Sequence, residues 1–155
     1  WGYESLEERN DVRADASKET EWPPKTEGNI VNMNSEIWNP ADFMRPMGGD
    51  QALGNVYEMR SYTFLPGAIP GLIESWGKAI PQREEFSPLA AGMSTELGGL
   101  NKWVHIWPYE SMAERDRIRA ATREAGVWPP GGSYRESMVK QENKVLVPAA
   151  FSPMH

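Results

Sequence analysis

The chain has 155 residues with 16 basic and 22 acidic side chains, giving a formal net charge of −6. This acidic balance argues against nucleic-acid partners, because binding a phosphate backbone requires clustered Lys and Arg. The absence of cysteine excludes disulfides and thiolate chemistry, and no apolar run approaches the length of a membrane span.

The first 45 residues repeat a later part of the chain. Residues 1–9 match residues 107–115 at six of nine positions, a shift of 107 − 1 = 106 residues. The same shift pairs the Trp-Pro-Pro at 22–24 with that at 128–130. We therefore predict that residues 1–45 are the C-terminal half of a first repeat, with a helix over 5–20 and a strand over 29–38. On this interpretation the chain is part of a longer two-repeat protein.

A linker and a complete domain are predicted to follow. Residues 46–55 are rich in Gly and Pro, which is typical of a linker. Residues 56–64 combine aromatic and branched types, which predicts a strand. Apolar residues then recur at helical spacing from Ile69 to Ile80, and Pro81 is expected to kink or end that helix.

The second half of this domain has a hairpin, a helix and a last strand. Strands are predicted at 89–97 and 101–107, around a Gly-Gly turn at 98–99. Ser111 and Glu114 form a capping box that begins a helix, and Gly126 ends it. A strand over 137–147 completes the order β-α-β-β-α-β. Residues 56–155 are therefore predicted to form a ferredoxin-like α+β domain.

Three segments resemble the NIPSNAP family. They are the Tyr-Glu-Met-Arg-Ser-Tyr-Thr of 57–63, the Thr-Glu-Leu-Gly-Gly-Leu-Asn of 95–101, and the Val-His-Ile-Trp-Pro-Tyr-Glu-Ser of 104–111. The resemblance implies a dimeric α/β barrel, in which two sheets pack face to face and helices cover the outside. Relatives of that fold include small monooxygenases and haem-degrading enzymes, whereas animal members of the family are associated with mitochondria and protein partners. A shared fold does not by itself transmit function.

Alternation along the strands suggests which side chains would line such a barrel. Val104 and Ile106 are expected to pack on the helices, so the opposite face should point to the barrel interior. That face would carry ionisable groups between aromatic walls, a composition typical of a small-molecule site. Its predicted members are Glu58, Arg60, Tyr62, Ser94, Glu96, Trp103, His105 and Trp107.

Each candidate has a functional and a structural interpretation. His105, Glu58 and Tyr62 are candidate catalytic residues, with His105 as a general base or, by fold analogy, a haem ligand. Alternatively, His105 is a satisfied interior hydrogen-bonder. The candidate ligand-binding residues are Arg60, Ser94, Glu96, Trp103 and Trp107. Glu58 and Arg60 could instead form ion pairs, and Glu96 could stabilise the adjacent turn. With two His and no Cys, we expect no metal site and no cofactor.

Two other patterns are interpreted as structural. The Trp-Pro-Pro segments, 22–24 and 128–130, are expected to anchor the chain after a helix. The charged residues of the second helix are expected to form a solvated face. They are Arg115, Asp116, Arg117, Arg119 and Arg123.

Two functional hypotheses remain open. The first is a dimeric binding or scaffolding barrel, formed by two chains or by association with the missing half-repeat. Exposed Trp103 and Trp107 would drive this pairing, since monomers rarely keep such an apolar patch. The second is a cofactor-independent monooxygenase- or isomerase-like enzyme acting on a small hydrophobic ring compound in the barrel. The expected location is cytoplasmic, or mitochondrial in a eukaryote.

Overall fold

The computed structural model describes residues 1–22, 25, 26, 28–49 and 51–155, and divides them into two compact units. The first unit comprises Trp1–Ser35 and the second Glu36–His155. This division lies ten residues before the predicted domain boundary at 45, since 45 − 35 = 10. The origin of residues 1–45 in a repeat stays a prediction, and Pro23 and Pro24 lie outside the described residues.

The first unit contains one helix, α1, spanning Leu6–Ala16. The backbone N–H of Glu8 donates to the Ser5 hydroxyl at 3.0 Å, so the predicted cap forms. No residue of α1 is buried. Of the strand predicted over 29–38, only the end is a strand, and it belongs to the second unit.

The second unit is a five-stranded antiparallel sheet with two helices and a short 3-10 helix. In the sheet the strands lie in the order β1-β3-β4-β2-β5. The elements in chain order are β1 Ile37–Pro40, β2 Val56–Phe64, α2 Ala68–Glu84, β3 Ala91–Leu97, β4 Lys102–Tyr109, α3 Met112–Glu124, the 3-10 helix Ser133–Ser137 and β5 Met138–Leu146.

The predicted ferredoxin-like fold is confirmed for these elements. Residues 56–146 follow the order β-α-β-β-α-β, and their four strands pair antiparallel as β3-β4-β2-β5. This is the split βαβ arrangement. The sequence did not indicate that β1 extends this sheet by pairing antiparallel with β3, with Trp38 opposite Thr95 and Pro40 opposite Met93.

Helix α2 begins after Gly67 and continues past Pro81. Gly67 has φ 89°, a left-handed conformation that favours glycine at this turn. Pro81 lies inside the helix, which ends at Glu84, so Pro81 does not end it. Leu72, Trp76 and Ile80 are buried, so packing on the sheet holds α2 together past the proline.

The core lies between the sheet and the two helices, and this corrects the predicted facing of the strands. Trp103 and Trp107 are 0% and 2% exposed and pack with Trp76 of α2 and Ile118 of α3. The face that was expected to line a barrel therefore lies under the helices. Large aromatic side chains bury the most area, and here they outweigh Val104 and Ile106 in deciding the face.

The opposite side of the sheet carries Tyr57 of β2 and Trp38 of β1 beside a group of mostly aliphatic side chains. Strand alternation and register place Met59, Ser61, Met93, Val104 and Ile106 there; these five residues are called the second face. Val104 is buried, and the other four are partly exposed. The second face is therefore more apolar than is usual for the solvent-exposed side of an antiparallel sheet.

Candidate functional site

Six of the predicted site residues form three cross-strand pairs beneath the helices. Glu58 lies opposite Trp107, Arg60 opposite His105, and Tyr62 opposite Trp103. The prediction that these side chains share one face is confirmed. Their predicted place in a barrel interior is wrong, because α2 and α3 cover this face.

Glu58 is the anionic centre of the cluster and is 1% exposed. Its Oε1 accepts a hydrogen bond from Arg115 Nη2 at 2.5 Å, and its Oε2 one from Arg119 Nη1 at 3.4 Å. Both arginines come from α3, one turn apart. Glu58 therefore ties α3 to the sheet through two charge-assisted contacts.

Two opposing effects act on the Glu58 carboxyl group. Burial alone would raise its pKa, but the hydrogen bond from Arg115 and the charges of Arg119 and Arg60 outweigh it, so the pKa lies below its ordinary value. Glu58 is thus held as a carboxylate. The solvated face predicted for α3 is wrong for Arg115 and Arg119, whereas Arg117 is exposed.

His105 is a buried, neutral histidine. Its Nδ1 accepts a hydrogen bond from Trp107 Nε1 at 2.8 Å, and its ring lies 4.7 Å from that of Trp76 and 5.2 Å from that of Tyr62. Burial, together with the nearby charges of Arg60, Arg119 and Arg83, holds its pKa well below the ordinary value. The lone pair that a general base would use is therefore engaged inside the core.

Ser94 lies at the margin of this cluster and Glu96 lies outside it. Ser94 pairs with Trp103 across the hairpin and with Asn39 of β1. Glu96 is exposed, and its Oε2 accepts from Asn39 Nδ2 at 3.1 Å. Both residues, two of the five predicted to bind ligand, lie next to β1.

Arg83 was missed by the sequence analysis. It lies in the last turn of α2 and is buried. Its guanidinium group stacks 4.0 Å from the centre of the Trp107 ring, and its Nη1 donates to the Ser87 hydroxyl at 3.0 Å. An arginine next to Pro81 and two glutamates resembles an ordinary solvated position, so composition gave no signal of its burial.

A cavity of about 220 Å³ adjoins the cluster. It lies between α3, β5, the 3-10 helix and the β2 residues Arg60 and Tyr62. Trp128, the predicted anchor after α3, forms part of the wall and packs 4.6 Å from Trp76. The described residues that line the cavity are Arg60, Tyr62, Trp76, Arg119, Thr122, Arg123, Trp128, Pro129, Tyr134, Arg135, Met138 and Gln141.

Chemically, this site is better suited to binding than to proton transfer. Glu58 is paired and ionised, and the His105 nitrogen that could accept a proton is occupied. In the part of the chain that the structure describes, no group of three or more His, Asp or Glu side chains could hold a metal ion. What the site offers is positive charge beside aromatic surface.

Comparison with known proteins establishes the family. The sequence profile of the NIPSNAP family matches residues 57–153, which include strands β3, β4 and β5 and nearly all of β2 but not β1. The chain belongs to the NIPSNAP family. Protein NipSnap homolog 1 of Danio rerio is 32% identical over 101 residues, which are 64% of this chain and 36% of that protein.

Other NIPSNAP relatives show a similar extent of likeness. Protein NipSnap of Drosophila melanogaster is 33% identical over 100 residues, covering 64% of this chain and 37% of that protein. The chain thus spans a little over a third of the length of these curated relatives. Their full-length activities and partners therefore do not transfer directly.

Solved NIPSNAP structures confirm the α+β fold. A crystal structure of a NIPSNAP family protein from Agrobacterium tumefaciens superposes with a TM-score of 0.58 at 29% identity, covering 66% of this chain and 96% of that one. A NIPSNAP-like domain protein from Burkholderia xenovorans gives 0.55 at 30%, covering 63% and 88%. Among the described helices of this NIPSNAP chain, none is long and apolar enough to cross a membrane.

Proposed function

We propose that this NIPSNAP domain is a binding and scaffolding module that works as a dimer, with the second face of one copy packed on that of another. The observation that carries the proposal is the composition of the second face. Met59, Met93, Val104 and Ile106 give it an apolar centre. A sheet that is apolar on both faces is normally covered on both.

The edge of the second face is charged. The register with β2 places Lys140, Glu142 and Lys144 of β5 on the same side as Met59 and Ser61. An apolar centre with a polar rim is the usual anatomy of a protein–protein interface. Two sheets that meet in this way stack about 10 Å apart. This support replaces the expected exposure of Trp103 and Trp107, which are buried in the core.

Strand β1 offers independent support. In the internal repeat, residues 40–43 match 148–151, a shift of 148 − 40 = 108 residues. By that shift β1 corresponds to residues 145–148, which include the end of β5. Yet β1 pairs with β3, whereas β5 pairs with β2 at the opposite end of the sheet. If residues 1–45 derive from a first repeat, as we predict, the end of that repeat adds a strand to the sheet of the complete domain, which supports a role for the sheet in association.

The contacts of Glu58 and His105 support the binding proposal over the enzyme hypothesis. Glu58 is bound by Arg115 and Arg119, and His105 by Trp107, on the face opposite to the proposed interface. We assign both residues a packing role. A catalytic barrel would need a proton-transfer group on the side of the sheet that carries the second face. The ionisable side chains there include Tyr57 of β2 and, at the edge on β5, Lys140, Glu142 and Lys144.

Light scattering of the whole chain tests the proposal. We expect a particle of twice the 17.5 kDa chain mass. Ile106→Lys places a charge in the centre of the second face and should yield monomers, whereas Leu100→Lys, in the exposed hairpin turn, should remain dimeric. Ser61→Arg gives a second test that removes no apolar side chain. A wild-type monomer at high concentration, or unchanged mass in both second-face variants, would contradict the proposal.

A further inference from the structure

We propose that the cavity beside α3 binds a small aromatic carboxylate. Of the described residues lining it, four are arginines and none is acidic. The four are Arg60, Arg119, Arg123 and Arg135. Such a concentration of guanidinium groups in a chain of net charge −6 is a local feature, which average composition does not explain.

Most of this positive charge is not neutralised within the protein. Glu58 pairs with Arg115 and Arg119. In the described ranges, Arg60, Arg123 and Arg135 form no salt bridge. Three guanidinium groups, of which those of Arg123 and Arg135 are exposed, thus line one cavity without a salt bridge. Like charges held together repel, and a bound anion would relieve that repulsion.

Arg60 has unused hydrogen-bonding capacity at this site. Its Nη2 donates to Gln141 Oε1 at 2.9 Å, but its buried Nε has no hydrogen-bond partner. A buried unsatisfied donor is costly and calls for an explanation. A carboxylate oxygen is the acceptor that fits a guanidinium edge, which can donate two parallel hydrogen bonds.

The rest of the wall favours an aromatic body on the ligand. Tyr62, Trp76, Trp128 and Tyr134 line the cavity, with Met138 and Pro129 between them. Burial raises the pKa of Tyr62, so its phenol stays protonated and can donate a hydrogen bond. The aromatic wall provides ring-edge and ring-face contacts that a bare inorganic anion cannot use.

The size of the cavity limits the ligand. Its volume of about 220 Å³ lies below the roughly 300–1,000 Å³ of pockets for drug-sized molecules. A single substituted ring fits that range better than a nucleotide or a fused cofactor. The site lies on the helix side of the sheet, so binding does not depend on the proposed dimer.

Titration of the whole chain with benzoate and phenylacetate, followed by calorimetry and Trp fluorescence, tests the assignment. We expect binding that weakens as salt is raised, and a loss of about 10-fold or more in affinity in Arg60→Gln, the cost of one charge-assisted hydrogen bond. The control Arg117→Gln lies on α3 outside the cavity and should change affinity less than about 2-fold. If Arg60→Gln does not fold, the exposed pair Arg123→Gln with Arg135→Gln takes its place.

Four results would overturn the assignment. Binding of benzamide, a neutral analogue of the same shape, as tightly as benzoate would remove the role of charge. Inorganic phosphate binding as tightly as benzoate would remove the role of the aromatic walls. The absence of benzoate or phenylacetate binding at millimolar concentration, or wild-type affinity in the cavity variants, would contradict the site itself.

Discussion

Helices α1 and α3 carry matching sequences but lie in different environments. Ser5 and Ser111 cap them in the same way, each accepting from the backbone N–H of a glutamate three residues later, at 3.0 and 3.2 Å. Val12 of α1 matches Ile118 of α3 by the 106-residue shift, yet the first is 47% exposed and the second 4%. Capping is local chemistry and repeats with the sequence.

Burial, by contrast, depends on what the helix meets. Arg9 of α1 matches Arg115 of α3, but Arg115 binds the buried carboxylate of Glu58, whereas Arg9 contacts the side chain of its neighbour Asn10 at 3.4 Å. The same helical sequence therefore becomes part of a core only where a sheet supplies Glu58 and an aromatic surface. The following predictions test this difference, beginning with the largest expected effect.

Substitutions of the matched apolar residues Ile118 and Val12 should show the largest difference in stability between the two helices. Ile118→Ala should lower the free energy of unfolding by about 3 kcal/mol, because it leaves a cavity in a packed core. The matched Val12→Ala should change it by less than about 0.5 kcal/mol, as expected for a surface site. Urea unfolding of both variants measures the difference. Equal effects at the two positions would contradict the contrast between the helices.

Substitutions of Arg115 and Arg9 should differ less in their effect on the free energy of unfolding, and that difference should depend on pH. Arg115→Ala should cost about 2 kcal/mol at neutral pH, below the roughly 3–5 kcal/mol of a fully buried pair, because Arg115 is partly exposed and Arg119 remains. Arg9→Ala should have little effect. Both variants can be compared with wild type by urea unfolding.

The sign of the pH dependence follows from Glu58, whose folded pKa is lowered. Its contribution to stability is fully present above its ordinary pKa of about 4.3 and declines as pH falls from there towards the folded value. The cost of Arg115→Ala should therefore shrink between pH 5 and pH 3. A cost that stays constant over this range would show that Glu58 is not the partner that matters.

The sequence predicted much of this fold because its local signals agree. The 56–64 strand, the Ser111 cap and the β-α-β-β-α-β order all follow from alternation, capping and spacing. The prediction of which strand face packs on the helices was wrong. It relied on the branched side chains Val104 and Ile106 and ignored the larger buried area of Trp103 and Trp107. The pairing of β1 with β3 joins residues more than 50 positions apart, and no local pattern encodes it.

The candidate site was predicted only in part for the same reason. Alternation brought Glu58, Arg60, Tyr62 and His105 together, since cross-strand neighbours share a face. The partners of Glu58 come from helix α3, so Arg115 and Arg119 looked like ordinary surface charges. No pattern in the sequence of α3 indicates that a buried carboxylate lies beneath these arginines.

Burial of His105 should make the free energy of unfolding depend on pH independently of Glu58. Its folded pKa is well below the ordinary value, whereas the unfolded chain takes up a proton near pH 6.5. Stability should therefore be full above about pH 6.5 and fall at lower pH, by up to about 1.4 kcal/mol per pH unit. Thermal unfolding at pH 7.5 and 5.5 should show that His105→Gln loses this slope while His155→Gln keeps it. A slope retained in His105→Gln would assign it to another group.

Substitutions of the two capping residues, Ser5 and Ser111, should show the smallest difference in stability between the helices. Ser111→Ala should cost about 1 kcal/mol of global stability, because the helix it begins is part of the core. Ser5→Ala should leave the main unfolding transition unchanged and only reduce helicity over residues 6–16. Circular dichroism with urea unfolding separates the two effects. A shift of the main transition by Ser5→Ala would mean that α1 contributes to the same cooperative unit.

The most direct test of the proposed pairing of second faces is methionine oxidation by hydrogen peroxide, read by mass spectrometry as protein concentration is raised. Met59 and Met93 lie on the second face, whereas Met33 and Met47 are 77% and 56% exposed. We predict that oxidation of Met59 and Met93 slows as dimers form, while Met33 and Met47 react at a constant rate. Concentration-independent oxidation of all four methionines would contradict the account.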